Sequence, residues 1–270
     1  MTVRRVLSGL IYVLGGLVGL LAFAYPFLSQ ASADGSLGLA RGQGAALVTA
    51  VLVGLSIVAL VIETQGEALG AKTVAMLGVL VAAGSVLRFL EVAFPLPGGF
   101  SPVFVPILLG GYVFGARFGF LLGVFTLLTS ALVTGGVGPW LPYQMIAAGW
   151  IGLAVGWLPH IGTNGRAGRA IEVVVLALFG ALSGLAYGAI VNLYFWPYVT
   201  GAGGAAWSAD LGVAEAVRRY ASFYVLTSLA WDLIRAAGNG ALLAFLGGPT
   251  LRALDRFRRR FHFKERSADA

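Results

Sequence analysis

The sequence predicts an all-α polytopic membrane protein. Of its 270 residues, 59% are hydrophobic and only 11% are charged, and the mean hydropathy is +0.89. A soluble chain of this length could not bury so much apolar side chain. The apolar runs are continuous over about 20 residues instead of alternating with polar residues, which favours membrane helices over a β-barrel.

Eight apolar segments follow one another along the chain as candidate spans. They are Val6–Leu28, Ala45–Ile62, Thr73–Phe94, Val103–Gly115, Phe118–Thr134, Tyr143–Leu158, Ile171–Phe195 and Tyr220–Leu246. The fourth is short, which suits a helix that begins below the membrane surface. The first resembles a signal peptide, but its apolar run of roughly 20 residues favours a retained helix.

The basic residues set the predicted orientation. If the N-terminus is cytoplasmic, thirteen basic residues of the loops and tail lie inside and three, Arg41, Arg218 and Arg219, lie outside. This asymmetry follows the positive-inside rule, so we expect both termini in the cytoplasm. The net charge of +7 therefore reflects topology and does not indicate nucleic-acid binding.

A short polar linker, residues 63–72, divides the predicted spans into two groups. It predicts a two-helix addition at residues 1–64, a six-helix core at residues 70–250 and a basic cytoplasmic tail at residues 251–270. The apolar residues of the tail follow helical spacing among arginines. Both an amphipathic helix on anionic lipid and a simple stop-transfer tail fit this pattern.

The sequence predicts neither an enzyme nor a metal site. Residues 66–73 nearly match a phosphate-binding loop, but they lie in a linker and open a membrane helix instead of following a strand. There is no cysteine, and the two histidines, His160 and His262, lie in a loop and in the tail. We therefore expect no catalytic residue, no metal and no cofactor.

Two pairs of opposite charges lie within the spans. Arg88 and Glu91 are near the outer end of the third, and Asp232 and Arg235 are near the middle of the eighth. Each charge at a helix centre costs about 2.5–3.5 kcal/mol on insertion scales, so these residues should pair and face protein or a water-filled cavity. The i,i+3 spacing allows pairing on one helix face. Each pair either lines a binding cavity or only locks the helix packing.

The eighth span also carries polar residues at intervals of three or four, which places them in one stripe on a single helix. The stripe consists of Tyr224, Ser228, Trp231, Asp232, Arg235 and Asn239. Such a stripe must face protein or a cavity, and its outer end is predicted to contact a ligand.

The external loops are rich in aromatic residues, glycine and proline. An aromatic belt at the membrane interface explains part of this pattern, but not the amides that lie just inside the spans. These loops are predicted to close over a flat amphipathic ligand. Their predicted ligand contacts are Phe100, Trp140, Tyr143, Gln144, Asn192, Tyr194 and Trp196.

Small residues mark one face of the third span. They are Ala71, Ala75, Gly78 and Ala82, spaced so that another helix could approach closely. The approaching helix could belong to a partner protein. Packing within the chain's own bundle is the simpler alternative.

Several of these features resemble the substrate-binding S components of energy-coupling factor (ECF) transporters. They are the Ala71-x-x-x-Ala75 element, the Pro/Gly loop that follows its helix, and six core spans with both termini inside. Residues 136–149 (GVGPWLPYQMIAAG) and 231–239 (WDLIRAAGN) resemble bacterial members of the family. The resemblance covers roughly residues 70–260.

The resemblance implies a vitamin-binding subunit in the plasma membrane of a bacterium. Such a subunit docks on a transmembrane coupling protein driven by two cytoplasmic ATPases, and releases its substrate inward by toppling in the membrane. Ala71 and Ala75 would contact the coupling protein, and the loop Pro95–Ser101 would gate the site. Residues 231–239 resemble cobalamin-binding members most, which favours cobalamin, although no histidine is placed to ligate cobalt.

The two N-terminal helices depart from the six-helix pattern of the family, so they must either move with the core or stay clear of it. Two other classes of protein remain open. An accessory or scaffold membrane protein would bind partner helices and no small molecule. A secondary transporter would use an ion gradient and usually shows inverted repeats, of which this sequence has no convincing example.

Overall fold

The computed structural model of the chain describes residues 2–31, 47–48, 50–59, 71–94, 98–161, 165–199 and 203–261. Most of the predicted linker, Pro95–Pro97 of the predicted gating loop, and the tail from His262 lie outside these residues. The helices are α1 (Thr2–Ala31), α2 (Ala50–Ala59), α3 (Ala71–Ala93), α4 (Phe104–Phe114), α5 (Ala116–Thr134), α6 (Leu141–Val155), α7 (Arg166–Phe195), α8 (Val213–Thr227) and α9 (Leu229–Phe261). Two short 3-10 turns, Trp196–Tyr198 and Gly203–Ala205, connect α7 to α8.

The predicted all-α membrane fold is confirmed. Four described helical segments are long and apolar enough to cross a membrane, namely Lys72–Ala93, Ala116–Thr134, Ala167–Tyr198 and Leu229–Arg259. Four shorter apolar segments, Tyr12–Leu28, Ala50–Ala59, Phe104–Phe114 and Leu141–Val155, coincide with the other four predicted spans. The count of eight spans and the location of the termini remain predictions.

Glycines allow α4, α5 and α6 to approach one another at backbone distance. A Cβ atom at Gly119 of α5 would lie closer than 3 Å to the carbonyl oxygen of Gly152 in α6. The same holds for Gly123 against the carbonyl oxygen of Ala148, and for Gly111 of α4 against Gly152. The side chains around this contact form the core of the bundle and are almost fully buried.

Helix α7 packs closely on α9 through a glycine face, Gly180-x-x-x-Gly184-x-x-x-Gly188. A Cβ atom at any of these glycines would lie closer than 3 Å to an atom of α9. At Gly184 the neighbour is the backbone of Ala236, and at Gly188 it is the carboxylate of Asp232. The missing side chain of Gly188 therefore leaves the space that Asp232 occupies.

The prediction of a single eighth helix, Tyr220–Leu246, is wrong. The helix is interrupted at Ser228, and α9 continues to Phe261. The hydroxyl groups of Tyr220 and Tyr224 donate hydrogen bonds to backbone carbonyl oxygens of α7. These bonds hold α8 against α7 as a separate helix, so Tyr224 is not on the same helix as the rest of the polar stripe.

Helix α8 begins at Val213, after the second 3-10 turn. Its first turns carry an exposed ion-pair cluster, in which Arg218 and Arg219 donate hydrogen bonds of 2.7–2.9 Å to Glu215. These bonds lower the pKa of Glu215 to about 2. The cluster therefore stays ionised at ordinary pH.

A polar network closes the opposite end of the bundle, where α4 ends and α7 begins. The hydroxyl group of Tyr112 donates to Glu172 at 3.0 Å, and Arg169 donates to both Glu172 and Asp255 at 2.9 and 2.8 Å. Arg258 donates to the carbonyl oxygen of Val113 at 2.9 Å. The C-terminal turns of α9 are thus attached to α7 and α4. Contact of this segment with lipid remains a prediction.

Helix α1 packs against α5 and α6 through aromatic rings. The ring centroids of Tyr12 and Phe120 are 5.6 Å apart, and those of Phe23 and Tyr143 are 5.1 Å apart. A Cβ atom at Gly19 would lie closer than 3 Å to side chains of α6. The first helix of the N-terminal addition is therefore in direct contact with the predicted core.

Candidate substrate-binding site

A polar cleft opens at the end of the bundle where α3 and α7 end and α6 and α9 begin. Its volume is about 220 Å³. The predicted topology places this end of the bundle outside the cell. Six of the residues that the sequence predicts as ligand contacts line it: Arg88, Gln144, Asn192, Trp231, Asp232 and Arg235.

Five further lining residues were not named as ligand contacts, although Ser228 belongs to the predicted polar stripe and Ser101 to the predicted gating loop. They are Ser101, Tyr187, Gly188, Val191 and Ser228. Helical spacing was an available signal only for Gly188, which lies four residues before Asn192 and so on the same face of α7. The sequence places Ser101 only at the end of the predicted gating loop, because its contact with the cleft depends on how that loop folds back over α3.

Arg88, Glu91 and Ser101 form one hydrogen-bonded group at the edge of the cleft. Arg88 Nη1 donates to Glu91 Oε1 at 2.8 Å and to Ser101 Oγ at 3.4 Å. The hydroxyl group of Ser101 donates to Glu91 Oε2 at 2.9 Å. The predicted pairing within α3 is confirmed, and Ser101 ties the following loop to it.

Asp232 and Arg235 form the second pair, deeper in the bundle. Arg235 donates through Nη1 to Asp232 Oδ1, and its guanidinium group lies 5.4 Å from the ring centroid of Tyr187. Only 3% of the Asp232 side chain and 16% of the Arg235 side chain are exposed. Arg235 Nε is buried and has no hydrogen-bond partner among the described residues. The predicted pairing within α9 is confirmed, whereas a ligand role for it stays a prediction.

The loop after α3 is seated directly on the start of α9. Gly99 has a φ of +88°, and a Cβ atom there would lie closer than 3 Å to the carbonyl oxygen of Trp231. A Cβ atom at Gly98 would meet the indole ring of Trp231, and Phe100 packs against Gly238. Trp231 therefore serves as the platform on which one wall of the cleft rests.

Replacing Gly99 by alanine should unseat this loop. The Cβ atom adds steric overlap with Trp231 to the strain of a left-handed backbone. We expect faster amide hydrogen exchange in peptides that cover residues 98–105, measured by mass spectrometry. Gly135→Ala is the matched control, because Gly135 also has a positive φ, 69°, but no atom within 4 Å of the added Cβ. Equal amide exchange of residues 98–105 in the two variants would contradict the proposal that Trp231 supports this loop.

The remaining predicted ligand contacts do not line the cleft. Trp140 donates its indole N–H to the carbonyl oxygen of Gly136, and Trp196 donates to that of Ala205. Tyr143 and Tyr194 stack on each other with ring centroids 4.1 Å apart. Glu91, Phe100 and Tyr224 lie beside the cleft or behind its walls. Contact of all seven residues with a ligand remains a prediction. The cleft does not support it for Trp140, Tyr143, Tyr194 and Trp196.

The small-residue face of α3 has no partner within the described chain. Ala75, Gly78 and Ala82 are exposed, and no atom lies within 4 Å of a Cβ atom built at Gly78. The side chain of Ala71 is outside the described part. The alternative prediction, that this face packs against the chain's own helices, is therefore wrong for Ala75, Gly78 and Ala82.

The fold and the cleft define a polytopic helical membrane protein with a ligand-sized polar site inside an apolar bundle. The chain belongs to the family of ECF transporter substrate-specific components, whose family model matches residues 72–247. The match runs from the start of α3 into α9. None of the curated proteins and none of the solved structures compared with the chain matches it.

Membership makes the chain a substrate-specific subunit of an ECF importer, and thus a multi-pass membrane protein. The family is one of transport components and not of enzymes. Its members work with a membrane coupling protein and ATPases. The predicted resemblance to S components is confirmed.

Proposed function

We propose that this chain captures a vitamin or cofactor precursor in the polar cleft, from the external side, and delivers it through an ECF module. The observation that carries the proposal is the cleft itself. Arg88, Asp232 and Arg235 converge there from the apolar membrane segments of α3 and α9. Charges in such helices are costly, so their convergence on an open cleft favours a ligand over a purely structural purpose.

The partner in this proposal is a transmembrane coupling protein driven by two cytoplasmic ATPases. Its docking surface is the small-residue face of α3, at Ala71, Ala75, Gly78 and Ala82. Small residues allow helix backbones to approach closely in lipid, where dispersion contacts drive association. The exposure of Ala75, Gly78 and Ala82 within the described chain supports this surface.

Leucine at Ala75 should abolish docking and leave ligand binding intact. The larger side chain would hold the partner helix away from α3. We expect uptake and copurification with the coexpressed coupling protein and ATPases to be lost, while calorimetric affinity stays within twofold. Ala83→Leu is the matched control, since Ala83 is also exposed but lies on a different face of α3. Normal uptake by the Ala75→Leu variant would exclude this face as the docking surface.

The domain organisation in this proposal keeps the two-helix addition at residues 1–64, the core at residues 70–250 and the tail at residues 251–270. The aromatic contacts of α1 with α5 and α6 favour an addition that moves together with the core. The proposed location is the bacterial plasma membrane, with both termini in the cytoplasm.

Cobalamin remains the substrate favoured by the sequence resemblance, but the cleft gives it little support. A volume of about 220 Å³ is below the roughly 300–1,000 Å³ usual for pockets that bury drug-sized ligands. A corrinoid is larger still and would extend well beyond the described walls. We therefore propose a smaller vitamin or precursor as the substrate.

The test is calorimetric titration of the purified full chain with cobalamin, its precursors, thiamine, riboflavin, biotin, folate and pantothenate. Nanomolar binding of one compound supports substrate capture and identifies the substrate. A folded chain that binds none of them favours an accessory or scaffold protein. Uptake that persists without ATP and stops when the ion gradient collapses would instead indicate a secondary transporter.

A further inference from the structure

We propose that the cleft selects a small organic anion and holds its carboxylate or phosphate group between Arg88 and Arg235. This inference rests on the proposed function and narrows its substrate class. Both guanidinium groups line the cleft together with Tyr187, and that of Arg235 lies 5.4 Å from the centroid of the Tyr187 ring. Two guanidinium groups facing one space are suited to a group with several acceptor oxygens.

The internal ion pairs leave much of each guanidinium group free for a ligand. Within the described chain, Nη1 is the donor of every hydrogen bond that Arg88 makes. Nη1 of Arg235 likewise donates its hydrogen bonds to Asp232 and to the carbonyl oxygen of Gly184. The Nη2 donors of both arginines therefore have no partner among the described residues. A bidentate contact uses two N–H groups of one guanidinium fork, and the unused edges offer them.

The charges that face the cleft are unbalanced toward positive. Glu91 is not among the lining residues, because it lies behind Arg88 and Ser101 and accepts hydrogen bonds from both. Asp232 is 2% exposed; its Oδ1 atom accepts from Arg235, and its buried Oδ2 atom has no hydrogen-bond partner among the described residues. A ligand in the cleft thus meets two guanidinium groups and one largely covered carboxylate. The excess of guanidinium groups over carboxylates in the lining favours an anionic ligand.

The rest of the lining suits a small neutral body attached to that anion. Gln144 and Asn192 contribute amides, and Asn192 uses its Nδ2 group on the carbonyl oxygen of Gly188 at 2.9 Å. Its Oδ1 atom remains as an acceptor for a ligand N–H or O–H. A volume of about 220 Å³, below the usual range for drug-sized ligands, limits the enclosed part of the ligand to a small ring or short chain.

Matched pairs of compounds that differ in charge test the inference. The purified full chain is titrated with nicotinate and nicotinamide, biotin and biotin amide, pantothenate and panthenol, and pyridoxal phosphate and pyridoxal. We expect one acid to bind at least tenfold tighter than its neutral counterpart. The first three pairs probe a carboxylate and the last a phosphate, so the pair that binds identifies the anionic group.

Two variants of Arg88 and one control link the preference to the cleft. Arg88→Gln should reduce the affinity for the acid at least tenfold and remove the preference over the neutral compound. Arg88→Lys keeps a counter-charge for Glu91 but loses the planar fork, so we expect an intermediate loss. Arg218→Gln is the control, because Arg218 lies at the same end of the bundle but is 75% exposed on α8. It should bind like the natural chain.

The outcomes separate this inference from the proposed function. Binding of a neutral member as tightly as its acid, or undiminished acid binding by Arg88→Gln, overturns the anion proposal and leaves substrate capture intact. Failure of all four pairs, while the chain binds a compound of the wider vitamin panel, overturns the anion proposal alone. Failure of every compound in both panels, by a chain shown to be folded from its thermal unfolding, overturns substrate capture in this cleft as well. Tight acid binding that depends on Arg88 and not on Arg218 establishes the anion site.

Discussion

Replacing Gly119 by alanine should destabilise the bundle by about 3 kcal/mol, the upper part of the range for overpacked cores. The added Cβ atom would overlap the carbonyl oxygen of Gly152 and the Cα atom of Gly111. Backbone atoms cannot rotate away as a side chain can, so α5 would have to separate from α6 and α4. The measurement is thermal unfolding of the purified chain in detergent.

Gly78→Ala is the matched control for this prediction. Gly78 also lies inside a helix, so both variants gain the same helix propensity of about 1 kcal/mol. No atom of the described chain lies within 4 Å of a Cβ atom at Gly78, so only the propensity should remain. Equal melting temperatures for the two variants would show that α4, α5 and α6 do not require the close approach.

Removing the carboxylate of Asp232 should cost about 3–5 kcal/mol, because it leaves a buried guanidinium group without its counter-charge. Only 16% of the Arg235 side chain is exposed, so water cannot replace the lost partner well. The same truncation at Glu91 should cost less, because Arg88 is 29% exposed and keeps its hydrogen bond to Ser101. Denaturation of Asp232→Ala and Glu91→Ala by heat, followed in parallel, measures the difference.

A double variant decides whether the Asp232–Arg235 pair is a packing lock or part of the site. Replacing a buried ion pair by apolar residues of similar size is often neutral or stabilising, so Asp232→Leu/Arg235→Met should recover most of the stability. If the pair contributes to the site, this stable variant no longer binds the substrate. Unchanged affinity in the double variant would assign the pair to packing alone. The exposed Glu215–Arg218 pair provides a reference: Glu215→Ala should leave the thermal unfolding temperature unchanged.

Much of the polar cleft was predictable because charge inside an apolar helix is informative. Arg88, Asp232 and Arg235 interrupt long hydrophobic runs, and hydrocarbon excludes an unpaired charge. Their partners at i+3 or i−3 are the ones that the structure shows. Gln144 and Asn192 were found by the same reasoning applied to amides, and both line the cleft.

The loop aromatics show where this reasoning stops. Tyr143 faces Phe23 of α1, and Trp196 lies near Phe27 of the same helix, with ring centroids 6.0 Å apart. An aromatic ring near the membrane interface can pack on a neighbouring helix, lie at the lipid headgroups or face a ligand, and its position in sequence does not separate these cases. In this protein, Tyr143 and Trp196 pack on α1 of the N-terminal addition.

The sequence by itself determined the class of protein, the approximate helices and the charged residues of the cleft. These follow from local physics, since apolar runs in lipid must be helical and charges within them must pair. Only the tertiary structure decided the break at Ser228, the seating of Gly99 on Trp231, and the convergence of Ser101 and Tyr187 on the cleft. These depend on contacts between segments that are distant in sequence, which hydrophobicity and spacing along one helix do not specify.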